Sequence, residues 1–147
     1  MRPGYALRVK LVVIGCGRVG ASLAREFQAD GWEVTAVDEQ QEALDRLGAG
    51  WPGGFVLGHG MDSEILRRAG VPDADAVVVS TNGDNTNLVI GQVVKLRYDV
   101  DCVVVRILDP ARAKFYEERG MQVVCPTQTA IAMLAQTVRK TTAALQS

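Results

Sequence analysis

The chain has 147 residues, 48% apolar and 22% charged, with 16 Lys and Arg against 17 Asp and Glu for a formal charge of −1. That is one domain's worth of chain, too apolar for intrinsic disorder and lacking the net basic surface of a nucleic-acid binder. No apolar run approaches the ~18 residues of a membrane span, no signal-peptide core follows Met1, and three scattered cysteines (Cys16, Cys102, Cys125) with one histidine, His59, suggest neither a disulfide framework nor a metal site, so a cytosolic chain is predicted.

In chain order, short β-branched runs alternate with longer amphipathic ones. Residues 9–14 read as a strand apolar on both faces. Residues 19–29 read as a helix with Val19, Leu23 and Phe27 on one stripe. A strand over 33–37, a helix over 40–47 and a short strand over 54–57 follow. Residues 63–69 form a helix closed by Gly70, with Pro72 just beyond. Then come a strand over 74–79, a helix over 84–97, a strand over 102–107 and a helix over 111–119 closed by Gly120. A sixth strand over 121–124 and a long last helix over 127–144 complete the pattern. The first seven residues, the stretch 48–54 and the tail after Thr141 read as ragged. Six strands alternating with helices predict an α/β, Rossmann-like, doubly wound parallel sheet of order 3-2-1-4-5-6 with helices on both faces.

Glycine is the one biased residue, 15 in number, or about 10% against a typical ~7%. Gly15-Cys16-Gly17-Arg18-Val19-Gly20 is a G-x-G-x-x-G that follows a predicted strand and opens a predicted helix. In that context Gly15 permits the tight turn, Gly17 lets the backbone approach a pyrophosphate, and Gly20 lets helix and strand pack closely. The helix N-terminus offers free N–H groups to phosphates. Arg18, a cation in a first turn, opposes the helix dipole unless a phosphate sits beside it, and Val19 belongs to the same turn. Asp38, eighteen residues after Gly20, ends the second strand, where a carboxylate accepts hydrogen bonds from adenosine ribose hydroxyls and repels a 2′-phosphate, disfavouring NADP. Glu39 follows it. The other reading of Asp38 is a helix cap with Gln41 completing a capping box.

Ligands in such sheets lie beyond the carboxyl ends of the strands. Three polar groups fall there: Gly58 to Asp62, Ser80 to Asn87, and Arg106. His59 reads as a loop residue lining a base pocket. Thr81 and Asp84 make a capping box or ligand contacts. Asn82 and Asn87 are candidate contacts, or merely loop polarity. Arg106, charged at the end of a buried strand, needs an anion, either Asp84 or a ligand phosphate.

The ordered set of motifs resembles the N-terminal lobe of RCK domains, also called KTN or TrkA-N domains, and most of all the TrkA-type subunits of bacterial potassium uptake. The segments that carry it are Val12 to Gly20, Asp38, Gly58 to Leu66, Ala74 to Val77, Ser80 to Leu88, Arg106 and the Gly120 turn before Val123. The resemblance implies binding of NAD(H) or ATP/ADP at the glycine loop (Gly15, Gly17, Gly20), the phosphate-side Arg18, the ribose acid Asp38, the adenine-side Gly58 and His59, the turn at Thr81 and Asn82, and Arg106. It implies a nucleotide-binding lobe over 8–125 and a crossover, dimerising helix over 126–147. The implied partners are a second copy, in a homodimer or larger ring, and an integral membrane potassium transporter or channel at the inner face of the plasma membrane. His59 departs from the acidic or amide residue usual there. Independently of the family, the apolar run Ala130 to Ala135 needs covering on more than one side. One side is expected on the chain's own sheet, the other on a second copy.

Two functions compete, beside a third class, a sugar- or metabolite-binding Rossmann module without a transporter. One is a non-catalytic nucleotide sensor, which works only if the ligand binds two states with different affinity. The other is an NAD-dependent oxidoreductase or its cofactor domain. Six strands and their helices occupy the chain, leaving no second domain for substrate contacts, so the switch is preferred.

Overall fold

The computed structural model describes residues 8–146. The stretch 1–7, read as ragged, lies outside the described residues. The strands are β1 (Lys10–Ile14), β2 (Glu33–Asp38), β3 (Gly54–Leu57), β4 (Ala76–Val79), β5 (Cys102–Arg106) and β6 (Gln122–Val124). The helices are α1 (Arg18–Ala29), α2 (Ala43–Leu47), α3 (Ser63–Arg68), α4 (Asp84–Tyr98), α5 (Pro110–Glu117) and α6 (Pro126–Thr141). All strands pair in parallel in the order β3-β2-β1-β4-β5-β6, the Rossmann-like sheet the sequence predicts.

Side-chain alternation along β1 decides how the sheet is covered. Leu11 and Val13 pack with Ala21 and Ala24 of α1 and with Ala43 and Leu47 of α2. Val12 and Ile14 pack on the other face with Ile65 and Leu66 of α3 and Leu88, Ile90 and Val94 of α4. Both faces of β1 are therefore dry, which is why this strand carries no polar residue after Lys10.

The chain order reverses between β3 and β4, so β1 and β4 are neighbours whose following segments turn to opposite faces. Their carboxyl ends open a crevice at this switch point. It is fixed by β1–β4 pairing from Leu11↔Ala76 to Ile14↔Val79.

Local chemistry shifts several predicted boundaries. The helix expected over 40–47 begins only at Ala43, because the Gln40 N–H donates to Asp38 Oδ1 (2.9 Å) in a side-chain turn. Asp38 therefore caps no helix and Gln41 completes no capping box. β4 begins at Ala76 rather than residue 74, because Val71–Asp73 forms a 3-10 turn and the Asp75 carboxylate accepts from Lys10 N (2.8 Å). The buried stripe of α1 is Gly20, Ala21 and Ala24; Val19 is 53% exposed. The helix lies so close to the strand that only small residues fit between them. Within 48–54, the Trp51 indole N–H donates to the Gly54 carbonyl (3.1 Å) and closes the turn ahead of β3.

The expectation that α6 lies partly on its own sheet is not met. None of its residues is buried, with Ile131 55%, Met133 62%, Leu134 68% and Val138 61% exposed. A 3-10 turn, Ala143–Leu145, follows α6. Among the described residues, no helix is long and apolar enough to cross a membrane and no cluster of His, Cys, Asp or Glu fits a metal ion.

Candidate functional site

At the switch point lies an open cleft of about 220 Å³. Its walls come from the β1–α1 loop, the ends of β2 and β3, and the β4–α4 loop.

The three glycines of the first loop do three different things. Gly15 sits at φ +93°, and a Cβ there would lie 2.6 Å from the Ser80 and Thr81 backbone. Its N–H donates to Val37 O (2.8 Å), and the Ser80 hydroxyl donates to its carbonyl (2.9 Å). A Cβ on Gly20 would meet the Gly15 carbonyl at 1.9 Å, so this glycine sets the distance between α1 and the loop. Gly17 is different: a Cβ there meets nothing within 4 Å, because the position faces the cleft. Gly17 is also the N-cap of α1, where no side chain caps the helix and no acid stands in the first turn. The first N–H groups of α1 lack intrahelical partners, and the dipole leaves positive charge beside Gly17.

Asp38 faces this loop from the end of β2. Its Oδ2 accepts from Cys16 N (2.8 Å) and its Oδ1 from Gln40 N (2.9 Å), so the carboxylate is held still at the wall of the cleft. Cys16 turns its thiol inward, with Sγ 3.7 Å from the carbonyls of Val13 and Val37. Burial, reinforced by the Asp38 carboxylate, pushes the Cys16 thiol up to about 12; the Val37 bond and Arg46 pull the other way. Cys16 is thus a protonated packing residue in a loop whose backbone faces outward.

Gly58 and Gly60 bracket His59 because the chain crosses the core there. A Cβ on Gly58 would meet Ile65 at 2.4 Å and one on Gly60 would meet Ile14 at 2.6 Å. The sequence shows nothing to orient His59, but its Nδ1 accepts from Met61 N (3.1 Å) and its Nε2 lies 3.9 Å from Glu39 Oε2. The Nε2 edge of the ring thus faces the Glu39 carboxylate.

On the opposite side, polar residues are engaged with one another. Asn87, 1% exposed, accepts through Oδ1 from Thr81 N (2.9 Å) and the Thr81 hydroxyl (2.5 Å), and donates through Nδ2 to the carbonyls of Thr81 (3.1 Å) and Arg106 (2.9 Å). Arg106 Nη2 donates to Thr81 O (2.7 Å), while its buried Nε has no partner. Asp84 pairs with neither Thr81 nor Arg106; its carboxylate accepts from Leu108 N (2.8 Å) and Asp109 N (3.0 Å). The Thr81–Asp84 capping box is absent, and α4 starts on Gly83 without a side-chain cap.

Of the residues singled out in the sequence, Gly15, Gly17, Asp38, Glu39, Gly58, His59, Thr81 and Asn82 line the cleft together. Arg18, Val19, Gly20, Asn87 and Arg106 do not. Arg18 and Val19 are exposed on the first turn of α1, and the other three lie behind the walls. Gln40 and Arg46, which no sequence signal singles out, also line the cleft, as does Thr86 of the polar stretch Ser80 to Asn87. No sequence signal marks Arg46, since it sits on a short helix like any solvated cation.

Residues 11–127 match the family model of the TrkA-N domain. The Trk system potassium uptake protein TrkA of Streptomyces coelicolor is 37% identical over 114 residues, 78% of this chain and 51% of its own length. The TrkA of Vibrio alginolyticus is 32% identical over 102 residues, 69% of this chain and 22% of its own length. The chain thus spans about half or less of these two relatives. Among solved structures, the RCK domain of GsuK superposes with a TM-score of 0.79 at 21% identity, over 97% of this chain and 31% of that one. The GsuK channel bound to NAD gives 0.77 at 22%, over 97% and 26%. The AMP-bound Kef C-terminal domain of Shewanella denitrificans gives 0.73 at 22%, over 88% and 80%.

Proposed function

The chain belongs to the TrkA-N domain family, and from that premise we propose that it is a nucleotide-sensing regulatory lobe that gates a membrane potassium transporter or channel. The observation that carries this reading is the pairing of two groups on one rim of the cleft. The uncapped α1 N-terminus behind Gly17 suits phosphates, and the fixed Asp38 carboxylate suits ribose hydroxyls. The ligand class is an adenine nucleotide, NAD(H) or ATP/ADP. It is supported by neighbours of the same fold described with NAD, ADP and AMP bound.

Gly15, Gly17 and the first turn at Arg18, Val19 and Gly20 take the phosphates; Asp38 and Glu39 take the ribose; Gly58 and His59 flank the base; Thr81 and Asn82 close the other side. Asn87 and Arg106 act from behind by holding the Thr81 turn. The lobe occupies 8–125 and the segment 126–147, which contains α6, mediates assembly. α6, with Ile131, Met133, Leu134 and Val138 exposed, suits pairing with the same helix of a second copy. The role is non-enzymatic: ligand binding shifts an equilibrium between two arrangements of a homo-oligomer at the inner face of the membrane.

Calorimetric titration with NADH, NAD, ATP and ADP, alongside light scattering, tests this. Saturable binding without turnover, by a dimer or larger assembly, supports it. Absence of binding by all four nucleotides, or steady NADH oxidation with a small carbonyl compound, contradicts it.

A further inference from the structure

Arg46 is a cleft residue whose chemistry the reading so far leaves unused. It stands on α2, and its Nε donates to the Cys16 carbonyl (2.7 Å), in the middle of the G-x-G turn. Its own carbonyl accepts from Arg25 of α1, so backbone and side chain are both tethered. The guanidinium has five donors, and only Nε has a partner among the described residues. No carboxylate there lies within ion-pair distance of it.

Asp38 reaches the same loop residue from the other side, through Cys16 N. The ribose end of the cleft thus carries one fixed carboxylate and one fixed guanidinium, on the two ends of a single loop residue. In sheets of this kind an acid at the end of β2 selects a free 2′-hydroxyl, whereas a nearby Arg accommodates a 2′-phosphate. This chain has both. The Asp38 carboxylate already accepts two backbone N–H groups, and Arg46 lines the same cleft.

We infer that Arg46 is a specificity residue that cancels the repulsion Asp38 would otherwise exert, so that the cleft takes the 2′-phosphorylated NADP(H) nearly as well as NAD(H). This rests on the nucleotide-binding reading above and sharpens its ligand. Planar guanidinium groups suit phosphate oxygens, two parallel N–H donors to two oxygens. A Gln in the same place keeps a donor and loses the charge.

The test titrates NADH and NADPH into the full chain and into Arg46→Gln and Arg46→Lys. The wild type should bind the two within about tenfold of each other, and Arg46→Gln should weaken NADPH at least tenfold while moving NADH less than about threefold. Arg46→Lys, which keeps the charge, should recover most of the NADPH affinity. A thermal melt of each variant checks that the loop is intact. NADH binding with NADPH already weaker by about a hundredfold in the wild type overturns the inference and leaves the functional reading standing. Equal losses of both nucleotides in Arg46→Gln overturn it too, by making Arg46 a brace for the loop. Failure of the wild type to bind either nucleotide removes the functional reading and this inference together.

Discussion

On the rim built from β1, β2 and β3, polar groups look into open space: Gly17 with nothing beyond it, the uncapped N–H groups of α1, the Asp38 carboxylate and the Arg46 guanidinium. On the rim built from β4 and β5 they look mostly at each other, with Thr81, Asn87 and Arg106 joined by five hydrogen bonds of 2.5–3.1 Å and only the buried Arg106 Nε left without a partner there. On the proposed reading the first rim meets the phosphates and ribose, while the second holds still the turn that closes the other side. Both are written in the same small and polar residues, so composition does not distinguish them. What distinguishes them is whether a side chain's donors and acceptors are already matched within the fold.

Mutations that ignore this difference should have opposite consequences on the two rims. The largest effect is expected at Gly20→Val, where the new Cβ would overlap the Gly15 carbonyl. The loss should exceed about 4 kcal/mol and leave little folded protein, read by circular dichroism and thermal melting. Next comes Asn87→Ala on the self-satisfied rim. It strands the Thr81 N–H and removes the Asn87 bond to the Arg106 carbonyl, leaving the Thr81 carbonyl only its bond from Arg106, and should cost about 2–4 kcal/mol of stability in a urea titration. Nucleotide affinity of the folded fraction should change less than threefold or so. A larger change in affinity than in stability would merge the two rims into one binding surface.

Asp38→Asn is the smaller change on the open rim. It removes the charge that ribose hydroxyls would meet and one of the two backbone acceptors. NADH affinity should fall about tenfold by calorimetry, with about 1 kcal/mol lost in stability.

The smallest effect concerns the buried thiol beneath the open rim. The folded state keeps Cys16 protonated up to about pH 12, whereas the unfolded thiol ionises near 9.0. The folded chain therefore holds the extra proton between these values. That contribution to stability is complete below about pH 9 and declines as pH rises toward 12. At pH 8.5, iodoacetamide should label the half-buried Cys102 and Cys125 well before Cys16. Equal labelling would mean that the loop opens readily.

The fold was legible because its signals are local and repeated. Short β-branched runs alternating with amphipathic ones mark six strands, and right-handed crossovers leave one favoured order. α6 was read correctly as a helix and wrongly as lying on its own sheet, since an apolar run says that something must cover it and not what does. α2 was placed too early because the Asp38–Gln40 bond holds the chain in a turn ahead of it. In the site, the packing demands on Gly15 and Gly20 follow from loop geometry and were legible. The division between Asn82, exposed at the cleft, and Asn87, buried behind it, was not. Both are asparagines of one polar stretch, and only the first turns of α4 decide which points inward. Arg46 left no trace in the pattern, because its partner is a carbonyl thirty residues away.

The most direct test of the open rim is Gly17→Val. Its side chain enters empty space in the fold and occupies the place where a phosphate would approach the α1 N-terminus. Titration of NADH and ADP, with a melting curve on the same sample, should give a melting temperature within about 3 °C of wild type and binding weakened by at least about a hundredfold. A stable Gly17→Val protein that binds either nucleotide as tightly as wild type would contradict a nucleotide site at this loop.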